Sequence, residues 1–151
     1  MLTVVCGCAG KSTAPPPAAP PPAVAPAPVA QRHEADDDPN VNPVALRLHD
    51  LAGPLLEYFA VYRQFPAALE DLRTARIVSS DAVLTDPSSG LRFAYTPDGP
   101  TVPGYTGRLL ASQSDRSDPR GVWVLLVSQP KGARHWIAEV HRVAPRLMPV
   151  P

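Results

Sequence analysis

Residues 121–143 read GVWVLLVSQPKGARHWIAEVHRV. From Val122 to Val127 every residue is apolar. In an extended chain successive side chains alternate, so Trp123, Leu125 and Val127 share one face and Val122, Val124 and Leu126 the other. A strand apolar on both faces belongs in the middle of a sheet. Gln129, Pro130, Lys131 and Gly132 carry turn chemistry. Beyond the turn Trp136, Ala138 and Val140 recur with period two, which predicts a second strand returning as a hairpin. Such a hairpin cannot bury its own apolar faces. It needs further layers, and these are sought upstream.

The first layer is NPVALRLHDLAGPLLEYFAVYR, residues 42–63. Asn42 is a favoured N-cap and Pro43 a favoured first helical residue. Val44, Leu48, Leu51, Leu55, Tyr58, Phe59 and Tyr62 stay within about 60° of one direction at 100° per residue. Pro54 lacks an N–H and crowds the Asp50 carbonyl. The stripe keeps phase across it, so one kinked helix is expected rather than two. In QFPAALEDLRTARIV (64–78) Pro66 suits a helix start, and Leu69 and Leu72 predict one or two helical turns. In TDPSSGLRFAYTPDGP (85–100) turn residues flank Leu91, Phe93 and Tyr95, which alternate as in a half-buried strand. GRLLASQ (107–113) adds a further strand. The tail APRLMPVP (144–151) has too many prolines to continue the sheet. The expected fold class is α+β: one long N-terminal helix and a short helix packed on an antiparallel sheet of about four strands, over residues 43–147, with 148–151 as a tail.

The N-terminal quarter has a different character. VVCGCAGKSTAPPPAAPPPAVAPAP (4–28) holds eight of the chain's 21 prolines. Val5, Cys6 and Gly7 ahead of Cys8 are similar to a bacterial lipobox: aliphatic, small, Gly, then the modified cysteine. Cys6 does not fit, because Val5 before it is too large. Cys8 is therefore the candidate lipidation site, and residues 1–8 the remnant of a lipoprotein signal. A full signal needs a basic region and a longer apolar stretch than MLTVV, so the expected start of translation lies upstream. A metal or redox role for Cys6 and Cys8 finds no further Cys and no C-x-x-C. Residues 9–42 are expected to be a disordered Pro/Ala-rich tether, spanning about 100 Å if extended as polyproline II. Ala9 replaces the Asp that marks inner-membrane retention. The expected location is therefore the bacterial cell envelope, lipid-anchored in the outer membrane and facing the periplasm.

Formal net charge is zero, with 14 acids and 14 bases, which gives no global field toward nucleic acid. Thirteen of the acids lie in residues 1–118, and the last 33 residues are mildly basic. No run of 18 apolar residues is present. H-E-x-x-H, G-x-S-x-G, the P-loop and the dinucleotide fingerprint are all missing from the sequence. His135, Glu139 and His141 fall on one face of the last strand. Its end histidines lie about 20 Å apart at about 3.3 Å per residue, too far for one ion. Ser112, Ser114 and Ser128 have no obvious base. No catalytic residue and no cofactor are indicated.

The run Tyr62-Arg63-Gln64-Phe65-Pro66-Ala67-Ala68-Leu69-Glu70-Asp71-Leu72, followed by Asp86-Pro87-Ser88-Ser89-Gly90-Leu91-Arg92-Phe93-Ala94-Tyr95, resembles the globular half of the major pseudopilins of type II secretion. The resemblance spans roughly residues 45–96. It implies a helix followed by a strand-bearing sheet, and work beside a secretion or pilus-like machine. It also implies calcium in a C-terminal loop, where ASQSDRSDPRG offers Asp115 and Asp118 as candidate ligands. Calcium commonly takes six to eight oxygens, so these two alone make a weak site. The family's hydrophobic N-terminal helix is replaced here by a lipobox and a proline tether, which does not suit a filament subunit. The expected function is a lipid-anchored envelope binding or scaffold protein with an envelope protein partner. The alternative is a small periplasmic enzyme or a cell-wall polymer-binding domain.

Overall fold

The computed structural model describes residues 37–149. Cys8, and the expected tether as far as residue 36, lie outside the described residues. Helix α1 runs Pro43–Tyr62 and is capped as its sequence requires: the Asn42 side chain accepts from the N–H groups of Val44 and Ala45. Pro54 sits within this single helix, and the carbonyl it deprives, that of Asp50, belongs to an exposed residue. Val44, Ala45, Leu48, Leu51, Ala52 and Leu55 are buried. Burial then fades along the stripe. Tyr58 and Phe59 are partly covered, and Tyr62 is 49% exposed with its ring stacked on Tyr58 at 4.4 Å. Tyr62 is thus not a core residue, because the helix outruns the sheet beneath it.

Arg63 ends the helix in a left-handed conformation, its N–H donating to the Phe59 carbonyl at 2.8 Å. The chain reverses through buried Phe65 and Pro66. It makes the short helix α2, Asp71–Thr74, and a 3-10 turn, Asp81–Leu84. Ser80 caps that turn by accepting from the Ala82 N–H. Sequence periodicity had no hold on a turn this short. Arg47 on α1 donates to the Ala82 carbonyl at 2.6 Å and ties the turn back to the helix.

Four strands follow: β1 Ala94–Tyr95, β2 Arg108–Ser112, β3 Val122–Ser128 and β4 Ile137–Val143. They form one antiparallel sheet in the order β1-β2-β3-β4. β1 is shorter than Leu91–Tyr95 suggested. Phe93 is buried, but Leu91 is 60% exposed. The turn at Asp86 explains this: the Asp86 N–H donates to the Leu91 carbonyl and the Gly90 N–H to the Asp86 carbonyl. That closes a loop around Leu91 and holds it off the sheet.

β3 is buried along Val122–Val127 and separates two apolar clusters, as its continuous apolar sequence requires. Trp123, Leu125 and Val127 pack with the α1 stripe, Leu72, Leu84, Phe93 and Val140. Val122, Val124 and Leu126 pack with Val102, Leu109, Val143 and Met148 on the other side. A bulge in β2 between Leu109 and Ala111 sends Leu109 to that back layer while Leu110 and Ala111 join the helix layer. The back layer is roofed by the 101–107 loop and by a second 3-10 turn, Pro145–Leu147. The prolines of the tail thus end the sheet and fold its last apolar residues beneath it.

Candidate interaction surface

β3 and β4 form a hairpin whose connection, residues 129–136, closes beside the C-terminal end of α1. Trp136 just precedes β4 and points to the helix layer. Phe59 comes from the last turns of α1 and Phe65 from the reversal after it. Their three rings meet: Phe59–Phe65 at 4.9 Å, Phe59–Trp136 at 5.4 Å and 67°, Phe65–Trp136 at 5.5 Å and 76°. Edge-to-face pairs at such spacing place positive ring edges against negative faces.

Arg108, the first residue of β2, lays its guanidinium 5.1 Å from the Trp136 ring centre and 5.3 Å from that of Phe65. Its Nη1 lies 3.2 Å from the Asp98 carboxylate. Each cation–π contact of this type contributes about 0.5–2 kcal/mol, more when water is excluded. Arg108 therefore fastens the corner together, with part of its charge held by the rings and part by Asp98.

Two depressions flank the rings and share Phe59 and Arg63 as a ridge. One, of about 390 Å³, also takes in Gln64, Phe65, Pro97, Asp98 and Arg108. The other, of about 320 Å³, takes in Leu56, Ala60, Arg134, His135 and Trp136. Arg63 and Arg134 are exposed, and among the described residues neither guanidinium has an ion-pair or hydrogen-bond partner. The corner thus combines apolar rings with two open forked donors. Forked guanidinium donors suit carboxylate acceptors, and the rings beside them suit apolar groups. The corner supplies no general base aligned on a nucleophile.

The residues singled out from the sequence are dispersed. His135 lies at this corner, whereas His141 is on β4 with its Nε2 3.6 Å from the Glu139 carboxylate and its ring 5.2 Å from that of Tyr105. Ser114 donates to the Arg92 carbonyl and Ser112 is buried in β2. Among the described residues no hydroxyl is hydrogen-bonded to a histidine. Asp115 accepts from the Ser117 N–H at 2.8 Å, and its hydrogen bonds from Ser117 hold its carboxyl below the usual range. Asp118 is also held low, chiefly by the Arg120 side chain at 3.0 Å, and it receives Arg142 at 2.7 Å. Both carboxylates are occupied by neighbours within the loop and sheet. Among the described residues no group of three or more His, Cys, Asp or Glu is placed to hold a metal ion.

Sequence reasoning did not find the aromatic–arginine corner. Its members stand at 59, 63, 65, 108, 134 and 136, and no spacing rule links them. The usable signal was local: Phe59 and Trp136 each lie at the edge of an apolar stripe, next to an arginine one to four residues away.

No protein-family model, curated protein or solved structure matches this chain.

Proposed function

We propose that this chain is a binding or scaffold protein of the bacterial cell envelope. In this reading it is anchored by lipid at Cys8, faces the periplasm from the outer membrane, and serves a secretion or pilus-like machine. The observation that carries the binding role is the open pair of guanidinium groups, Arg63 and Arg134, beside the exposed flank of the Phe59–Trp136 contact. Arginine and tryptophan dominate the energetics of protein interfaces because each covers a large area and keeps a polar handle. The partner surface that complements them carries Asp or Glu beside an apolar residue.

The position of the corner supports the same reading. It lies at the C-terminal end of a 20-residue helix, about 30 Å long at 1.5 Å per residue. The tether would join at the other end, so an anchored domain carries its binding corner clear of its attachment point. The lipobox around Cys8 and the proline-rich stretch supply the anchor and spacer.

The test is a cross-linked pull-down of the tagged full chain from native membranes, read by mass spectrometry. The wild type is compared with Cys8→Ser and with the double variant Arg63→Ala, Arg134→Ala. Secretion or pilus subunits enriched with the wild type and lost with both variants would support the proposal. Recovery of abundant outer-membrane and wall proteins alone, unchanged by the arginine variant, would defeat it and direct attention to wall polymers.

A further inference from the structure

The groove between the end of α1 and the start of β4 offers three kinds of contact within about 320 Å³. The first is apolar. Leu56, Phe59 and Trp136 line it and are each half-buried, so each keeps part of its surface open. The second is cationic. Arg63 and Arg134 stand exposed at the same groove, and no carboxylate among the described residues pairs with either. The third is a set of backbone acceptors. The last carbonyls of a helix have no intrahelical donor. The Arg63 N–H takes the Phe59 carbonyl. Among the described residues no backbone N–H reaches the carbonyls of Ala60, Val61 and Tyr62, and Ala60 lines the groove. A helix end of this kind carries roughly half a negative charge, which two guanidinium groups outweigh.

A ligand that answers all three contacts needs an apolar group, carboxylates and an N–H close together. Ligand pockets span about 300–1,000 Å³. This groove is at the small end and holds one large side chain rather than the flank of a helix. A fatty acid has a carboxylate and an apolar chain but no N–H. The N–H groups inside a helix are already bonded. The end of an extended polypeptide has what is required. Its last residue carries an apolar side chain, an amide N–H and the terminal carboxylate, and the residue before it can carry a second carboxylate. We infer that the groove binds the C-terminus of a partner polypeptide ending in Asp or Glu followed by an apolar residue. One guanidinium holds the acidic side chain and the other the terminal carboxylate, each through its fork of donors. The apolar side chain packs on Phe59 and Trp136, and its N–H turns to the open end of α1. Capture of a chain terminus in this way is a recurring mode of peptide recognition. The inference rests on the corner being the contact surface, and it adds what enters the corner.

The test is nitrogen-15 NMR of the full chain under reducing conditions, so that Cys6 and Cys8 form no cross-link. The chain has two tryptophans. The Trp136 indole reports on the groove, and Trp123, which is 3% exposed, is the internal control. Four probes are titrated to millimolar concentration: N-acetyl-Gly-Ser-Gly-Glu-Leu with a free carboxylate, the same peptide as its C-terminal amide, N-acetyl-Gly-Glu-Leu-Gly-Ser-amide, and decanoate. The free-acid peptide should move the Trp136 indole and leave Trp123 in place. Amidation should weaken binding about tenfold or more, with the internal Glu-Leu peptide and decanoate equally weak. Arg63→Ala and Arg134→Ala should each weaken the free acid. In one of them amidation should have no further effect, because the terminal carboxylate has already lost its partner. The comparison of acid with amide uses the unsubstituted protein and so depends on no variant folding. Equal affinity for acid and amide, or an internal peptide that binds as tightly as the free acid, overturns the inference and leaves the corner standing as a contact surface. Decanoate binding more tightly than the peptide assigns the groove to a fatty acid and overturns it as well. So does a Trp136 indole that responds to no peptide. The contact-surface reading is decided separately, by whether the pull-down loses its partners with Arg63→Ala, Arg134→Ala.

Discussion

Replacing Tyr95 by Phe removes one oxygen and tests how the helix end is fastened to the sheet. The Tyr95 hydroxyl donates to the Pro66 carbonyl at 2.8 Å. Pro66 is buried and directly follows Phe65, so this bond holds the reversal that delivers Phe65 to the aromatic corner. Removing a donor and leaving a buried acceptor costs about 1–3 kcal/mol. Tyr95 is partly exposed, which lets water offset some of this, and about 1 kcal/mol is expected, or roughly 4 °C in Tm. The alkaline limb is more diagnostic. Burial first, and the Asp71 carboxylate next, push the Tyr95 hydroxyl above its ordinary range. The unfolded chain ionises this group near pH 10, roughly the free tyrosine value, while the folded chain keeps its proton. Above that pH the folded state binds more protons, so the stabilisation is intact below about pH 10 and is lost as pH rises beyond it. The slope is at most about 1.4 kcal/mol per pH unit, and less for a partly solvated ring. Urea unfolding followed by tryptophan fluorescence from pH 8 to 11 measures both effects. Tyr95→Phe should be the less stable protein at pH 8 and should close the gap as pH rises past 10. Two curves that stay parallel across this range would refute the reasoning.

Three further substitutions test the local devices of the fold. Asn42→Ala should cost about 1 kcal/mol by orphaning two N–H groups at the start of α1, and Asn42→Ser should recover most of it in the same urea titration. Gly99→Ala should cost about 3 kcal/mol or more, since an added Cβ would sit 1.6 Å from the Leu109 carbonyl oxygen, a backbone atom that cannot swing aside; a variant with wild-type Tm would contradict this packing. Asp86→Ala should cost about 1–3 kcal/mol, because the buried carboxylate accepts from the Ser88 N–H and hydroxyl and from the Ser89 hydroxyl. Asp86→Asn, which keeps one acceptor, should lose less when both are compared by thermal melting.

What could be read in advance was what periodicity encodes. The Asn42-Pro43 start, the α1 stripe and the two faces of β3 are each carried by contiguous residues. Their pattern is set by 3.6 or 2 residues per repeat. Leu91 departs from its alternating pattern because Asp86 closes a turn around it, which alternation alone does not encode. The back layer was implied but not assembled: Val122, Val124 and Leu126 demanded a cover, and Val102 and Met148 provide it from segments with no period of their own. The interaction corner was the least legible. Arg108 reaches Phe65 and Trp136 across 43 and 28 residues of chain, and contacts of that range exist only once the sheet has formed.

The corner formed by Phe59, Arg63, Arg134 and Trp136 is the proposed contact surface. The direct measurement places a photo-activated cross-linking residue at Ala60, which lines the groove between Arg63 and Trp136. A control places the same residue at exposed Leu91. Both proteins are irradiated in native membranes. The expected result is a discrete adduct from position 60 that disappears when Arg63 and Arg134 are replaced by Ala, and none from position 91. Adducts from position 91 alone, or an adduct at position 60 indifferent to the two arginines, would contradict it.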